Sequence, residues 1–217
     1  MGIGQRFSLF WKAFFSPEKV FEAEAKGKAA MADGAINNVL AFLIIPIITL
    51  LVSLFSPLPD AIGGLSVGIM LLAVLLILTF IVAALYHFVA GLLGGKGSLE
   101  KSYYVLSIFN AIGVFSYLAL MAVYLALLGI MGASPVSEIV LLPVLVVVAY
   151  TLIAYLFYML GIAAKSAHTV SSLKGLFSFM VAVGIVLAVI LAIMFALFGG
   201  MVLGALAGKS ALAGVPY

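Results

Sequence analysis

The side chains that could carry out chemistry in this chain are few, and they do not converge on a catalytic site. There is no cysteine, which excludes disulfides, thiolate metal sites and cysteine nucleophiles. The two histidines, His87 and His168, have no pair of carboxylates beside them, so a zinc or copper site is not expected. We predict no enzyme activity, no metal and no cofactor. We expect an interfacial hydrogen bond for His87 and a solvated side chain for His168.

A glycine-rich turn with a lysine, GLLGGKGS at 91–98, invites comparison with phosphate-binding loops. The spacing G-x-x-x-x-G-K is absent and no strand precedes the turn, so that function is not indicated. The pattern instead predicts a helix that ends at Gly94-Gly95, with Lys96 near the negative end of its dipole. Ser98 is then placed to cap the following helix.

Four lysines in two linkers are the candidate contacts for lipid headgroups: Lys96, Lys101, Lys165 and Lys174. They either attract anionic lipids jointly or only determine the topology of the chain.

The composition requires a membrane. Of 217 residues, 67% are hydrophobic and 8% are charged, whereas a soluble domain is about half apolar and about a quarter charged. Five apolar runs each meet the length of about 20 residues that a spanning helix needs. Pro46 should kink the first of them. We predict an all-α, polytopic membrane protein with five transmembrane helices, at about 36–55, 65–93, 103–131, 139–164 and 175–207.

Residues 1–33 form a separate N-terminal segment before the membrane domain of residues 34–217. Residues 1–15 predict an amphipathic helix with Arg6 and Lys12 opposite an aromatic face, which suits the membrane interface. The alternative is that this helix packs on the protein's own helices. Ser16-Pro17 predicts the start of a second, charged and solvated helix. The aromatic face of the first helix comprises Ile3, Phe7, Phe10, Trp11 and Phe14.

The placement of lysine and arginine predicts the orientation. Nine lie in the N-terminal segment and the second and fourth linkers, against one, Lys209, on the other side. The positive-inside rule therefore places the N-terminus in the cytoplasm and the C-terminus outside. The expected location is the membrane, and the cell membrane if the source is prokaryotic.

The last run repeats a small residue at every fourth position, which lets helix backbones approach closely in lipid. This stripe indicates either packing within the chain or association of two copies. Asn110 is the deepest amide in the spans and the best candidate to bridge helices. The stripe comprises Gly184, Ala188, Ala192, Ala196, Gly200, Gly204 and Gly208.

Three segments resemble the Yip family of Ypt/Rab-interacting membrane proteins, in the wider sense that includes archaeal and bacterial members. They are SPEKVF at 16–21, LLGGKGS at 92–98, and the stretch from Gly161 to Lys174. The resemblance implies five spans, a cytoplasmic N-terminus and a short C-terminal tail. In eukaryotes it also implies binding of prenylated Rab GTPases through a longer N-terminal region. This chain largely lacks that region, so a Rab-type GTPase is a doubtful partner.

The sequence thus favours a non-enzymatic membrane protein that acts through helix association and lipid contact, in membrane organisation, trafficking or shaping. The expected partners are membrane lipids, with a second copy or another membrane protein as further candidates and no nucleic acid. The alternative is a transporter or channel for a neutral or apolar solute, which needs a polar cavity lined by Asn110 and tyrosines. The absence of charged side chains in the middle of the spans disfavours ion-coupled transport.

Overall fold

The computed structural model of the protein describes residues 1–27, 30–56, 60–131 and 135–212. These ranges consist of helices joined by short turns and contain no strands. Positions 128, 130, 131, 135–142 and 197–212 are described for their backbone only. Five helical segments within these ranges are long and apolar enough to cross a membrane. The all-α, five-span architecture predicted from the sequence is therefore confirmed.

Two short helices precede the spans. Helix α1 (Ile3–Phe15) and helix α2 (Pro17–Lys26) meet at Ser16. Pro17 occupies the first turn of α2 as predicted, where its missing amide hydrogen costs nothing. Ser16 occupies the N-cap position of α2 as predicted, but its hydroxyl makes no capping hydrogen bond.

The first span consists of two helices, α3 (Met31–Phe42) and α4 (Ile44–Leu54), separated at Leu43. The break lies just before Pro46, whose ring has no amide hydrogen to donate to the preceding turn. The structure thus has a break between two helices close to the proline at which the kink is predicted. The other four spans are single helices: α5 (Ala61–Leu92), α6 (Leu99–Met131), α7 (Pro135–His168) and α8 (Ser172–Leu212).

The turn between α5 and α6 has the helix-ending geometry that its glycines predict. Gly94 has a φ of 90°, and the amides of Gly94 and Gly95 donate to the carbonyls of Gly91 and Ala90. This pair of bonds is a Schellman motif. The Ser98 hydroxyl accepts from the amide of Lys101 at 3.2 Å, so Ser98 caps α6 as predicted.

Glycines bring α4 and α5 into close contact. A Cβ atom at Gly64 would lie 2.8 Å from the Thr49 carbonyl oxygen, and one at Gly68 would lie 2.9 Å from the Pro46 Cβ. Neither distance is tolerable for real side chains, so these two positions require glycine. Small residues thus set the helix spacing here, as is common in lipid.

Burial is concentrated at one end of the bundle, here called the basic end because it carries α1, α2 and the lysine-bearing turns. The buried residues of α6, α7 and α8 that the structure describes lie at 102–112, 159–168 and 175–182, all near this end. Toward the opposite end the described side chains of these three helices are mostly exposed. The bundle is therefore packed at the basic end and open to lipid further along the spans.

Candidate functional site: a helix docked at the basic end

Helix α1 is held on the bundle by a buried arginine. Arg6 is 2% exposed and its guanidinium donates to the Asp33 carboxylate, the Asp33 carbonyl at 3.1 Å and the Asn37 side-chain oxygen at 2.7 Å. The sequence placed Arg6 on the polar face opposite the aromatic side chains, which is wrong, because Arg6 is buried on the same side of α1 as Phe10. Three acceptors on α3 bond to the planar guanidinium of Arg6, and these hydrogen bonds compensate for the removal of the charged group from water.

The bonds of Arg6 continue into α6. Asn37 donates to the Ser107 hydroxyl at 3.1 Å, and Ser107 donates to the Tyr104 carbonyl at 2.6 Å. The Tyr104 hydroxyl in turn donates to the Glu24 carboxylate of α2 at 2.6 Å. The resulting polar network ties α1, α2 and α3 to α6, and each partner keeps the next from being buried without a hydrogen bond.

Apolar contacts complete the docking of α1. Phe10 and Ala13 are buried, and Phe10 stacks on Phe115 of α6 with ring centroids 6.1 Å apart. Leu9 is partly buried and packs against this core. Toward α7, the Tyr155 hydroxyl donates to the Phe14 carbonyl. The alternative considered for this helix, packing on the protein itself, therefore holds for one of its faces.

A second face of α1 remains uncovered. Ile3, Phe7, Trp11 and Phe15 follow each other at four-residue spacing and are exposed, Trp11 by 69%. Large apolar side chains at this density on an exposed face indicate contact with lipid. The helix thus has one face on the protein and an aromatic face directed outward. This outward row is here called the aromatic row.

The four candidate lysines lie at the basic end together with α1 and α2. The amide of Lys96 donates to the His168 carbonyl at 3.0 Å, which joins the two lysine-bearing turns directly. Lys165 lies 3.9 Å from the Glu22 carboxylate of α2, and both of these side chains are about half exposed. Lys96 and Lys174 are exposed and Lys101 is partly so, which leaves these cations available to the surroundings.

His168 is not solvated, contrary to the sequence-based expectation. It is fully buried, 5.0 Å from the ring of Tyr86 and 5.2 Å from that of His87, centroid to centroid. The Ser102 hydroxyl forms a hydrogen bond with His168 Nε2 at 2.7 Å and also lies 2.8 Å from the Ser98 carbonyl. The glycines at 95 and 97 allow the turn to approach this ring, since a Cβ at Gly97 would lie 2.9 Å from His168 Nδ1.

The polar atoms around these rings are not all satisfied. The Nδ1 atoms of His87 and His168 are both buried and have no hydrogen-bond partner in the described part of the protein. Within the same ranges, no group of three or more histidine or acidic side chains could hold a metal ion. The rings of the histidine pair contact each other, and that of His168 contacts Tyr86, between α5, α7 and the turn.

Ser102→Ala is expected to destabilise the fold by about 2 kcal/mol, because it leaves the buried His168 Nε2 without its hydrogen-bond partner. Titration of the purified protein with a denaturing detergent, followed by circular dichroism, would measure this loss. Ser178→Ala is the matched control, since Ser178 is equally buried but donates only to the Lys174 carbonyl of its own helix. Equal effects of the two substitutions would show that the contact between Ser102 and His168 contributes nothing.

Asn110 lies at a helix interface. Its side-chain amide donates to the Asn38 side-chain oxygen at 3.1 Å, which links α6 to α3. The Asn38 amide nitrogen is buried without a partner among the described residues. The pair adds a polar contact one turn beyond the network of Arg6.

The small-residue stripe of α8 is exposed where its side chains are described. Gly184, Ala188, Ala192 and Ala196 are exposed, and a Cβ at Gly184 would meet no atom within 4 Å. All side chains at 191–196 are exposed, so packing within the chain and association of two copies both stay predictions for this stripe. Gly200, Gly204 and Gly208 lie outside the residues whose side chains are described.

The fold defines a class: an α-helical, polytopic membrane protein with five spans and a helix docked at one end. The family model described as the Yip1 domain matches residues 11–210. The chain therefore belongs to the Yip family, which is a family of non-enzymatic membrane proteins. No match was found among curated proteins or among solved structures.

Proposed function

We propose that the protein shapes or organises the membrane by placing extra volume at one face of the bilayer. The observation that carries this proposal is the docking of α1, which fixes an exposed aromatic row at the basic end of the bundle. A free amphipathic helix can leave the interface, whereas a docked one holds its side chains at one depth. The aromatic row then acts as a wedge among the headgroups and upper acyl chains.

The distribution of burial supports an asymmetric body. At the basic end, α1 and α2 add to the cross-section of the five spans, and the described spans pack against each other there. Toward the other end the spans have few buried side chains and lipid can enter between them. A body that is wider in one leaflet than in the other favours curvature toward the wider side.

The excess of lysine and arginine favours the cytoplasmic leaflet for the basic end, with the C-terminus outside. Lys96, Lys101, Lys165 and Lys174 would then face anionic headgroups, and each cation near such a surface is worth about 1 kcal/mol. In this arrangement the wedge and the cations act on the same leaflet.

Association of copies through α8 would add to this effect. The exposed small residues at 184–196 would permit close contact between the α8 helices of two chains, because small side chains let the backbones approach and van der Waals packing then stabilises the pair. Several wedges held in one assembly would bend the membrane further than one.

Removing the wedge should reduce membrane bending. In vesicles that carry the protein with its basic end outward, we expect smaller diameters by cryo-electron microscopy than in protein-free vesicles. The double substitution Ile3→Ser and Trp11→Ser should restore the protein-free diameters, because both side chains are exposed and the ring contacts of Phe7 with Phe10 and Phe115 are kept.

The control replaces two exposed apolar residues at the opposite end, Ile62→Ser and Leu65→Ser, and should leave the small diameters unchanged. Vesicles of the same size with and without the unsubstituted protein would contradict the proposed function.

A further inference from the structure

A groove with a volume of about 700 Å³ runs between α1 and α6. This volume lies within the range of about 300–1,000 Å³ that is usual for small-molecule sites. Its lining is almost entirely apolar, and the polar side-chain groups of the lining residues are the hydroxyls of Ser8 and Ser116 and the indole N–H of Trp11. The walls include Phe7, Trp11 and Phe14 from α1 and Ile112, Phe115 and Ala119 from α6.

The position of the groove determines what fills it. Its α6 wall, from Ile112 to Ala119, lies inside the candidate span Leu99–Leu127. The groove is therefore open to the hydrocarbon of the bilayer rather than to water. An acyl chain is the apolar group that is available at this depth.

The other side of α1 is cationic. A second groove of about 650 Å³ lies between α1 and α2, and its lining includes Lys12 and Lys19. Glu24 also lines it, but the Glu24 carboxylate already accepts a hydrogen bond from the Tyr104 hydroxyl. Ser8 lines both grooves, so the cationic groove and the apolar groove adjoin at this residue.

We propose that the two grooves together bind one anionic phospholipid. An acyl chain lies in the apolar groove against Trp11 and Phe115, and the phosphate lies over Ser8 and Lys12. Charge complementarity selects the anionic headgroup, since Lys12 is exposed and has no carboxylate partner among the described residues. This site deepens the proposed contact with lipid and gives it a defined position.

The single tryptophan of the chain makes this site measurable. Trp11 lines the apolar groove, so bromine atoms on a bound acyl chain quench its fluorescence. The full-length protein is placed in vesicles of phosphatidylglycerol and phosphatidylcholine, and the bromine is carried by one lipid or by the other at the same mole fraction. We expect about fivefold enrichment of the anionic lipid at Trp11, as one ion pair of about 1 kcal/mol implies.

Three variants separate the parts of the site. Lys12→Gln should abolish the difference between the two lipids while Trp11 stays quenched. Ala119→Phe should fill the groove and lower the quenching by both lipids. Ala122→Phe is the matched control, because Ala122 is exposed on the same helix one turn away and should change nothing. Circular dichroism and gel filtration would confirm that each variant folds.

Equal quenching by the two brominated lipids, unchanged by Ala119→Phe, would overturn the site. This result is distinguishable from failure of the proposed function, because vesicle diameter depends on the aromatic row whether or not a lipid is bound specifically. A site that binds without curvature would leave the inference standing and remove the proposed function.

Discussion

Arg6→Ala should release α1 from the bundle. The substitution removes the donors to Asp33 and Asn37 and leaves the Asn37 oxygen buried without a partner. Breaking a buried ion pair usually costs about 3–5 kcal/mol. The Asp33 side chain is 36% exposed, so water takes over part of its interaction and we expect a loss of about 3 kcal/mol. The docked population should then fall relative to the undocked one by about 100-fold.

The absence of cysteine allows a direct measurement of this release. Spin labels on cysteines introduced at Ser8 and Ala122, both exposed, report the distance between α1 and α6. The distance distribution should be narrow in the unsubstituted protein and broad in Arg6→Ala. Arg6→Lys should lie between them, since an ammonium cannot reproduce the planar fork.

Lys12→Ala is the control for loss of charge, because Lys12 is an exposed cation on the same helix. Its distance distribution should remain narrow. If Arg6→Ala also kept the narrow distribution, the aromatic contacts with α6 and α7 alone would account for the docking.

Gly68→Ala should destabilise the bundle by about 3 kcal/mol. The added methyl group would overlap Pro46 and Thr49 of α4, and Pro46 meets it with backbone atoms that cannot rotate away. Overpacking of this kind typically costs about 1–3 kcal/mol, and the rigid partner places this site at the upper end. Detergent titration followed by circular dichroism gives the free energy of unfolding.

Gly91→Ala in the same helix should instead raise the free energy of unfolding. A Cβ at Gly91 meets no atom within 4 Å, so only the intrinsic preference of helices for alanine remains, worth up to about 1 kcal/mol. Loss of stability in both variants would mean that α5 tolerates no side chain at either position and that the contact with α4 is not the cause.

The parts of this fold that follow from one-dimensional patterns were predictable. Apolar run length gave the five spans, Pro46 indicated the break in the first, and the glycine pair gave the Schellman turn before Lys96. Each of these sequence features determines the structure of the residues next to it in the chain. The predicted limits also agree with the observed helices to within several residues.

The docking of α1 was not predictable from such patterns. A helical wheel sorts Arg6 with the polar residues, because its charge is visible in the sequence and its partners are not. Asp33 lies 27 residues further along and Ser107 lies on a different span. His168 was misjudged for the same reason, since Ser102 and the glycine turn reach it from another hairpin. The signal available in the sequence was a single arginine within a helix rich in aromatic residues.

The surface on which α1 docks is completed late in the synthesis of the chain. Phe14 receives its hydrogen bond from Tyr155, 141 residues further along the chain. A growing chain therefore exposes α1 long before most of the surface that holds it exists. During this interval we expect the aromatic row to hold α1 at the membrane interface, because large apolar side chains favour that environment. The same side chains would then serve α1 before and after α6 and α7 have been inserted.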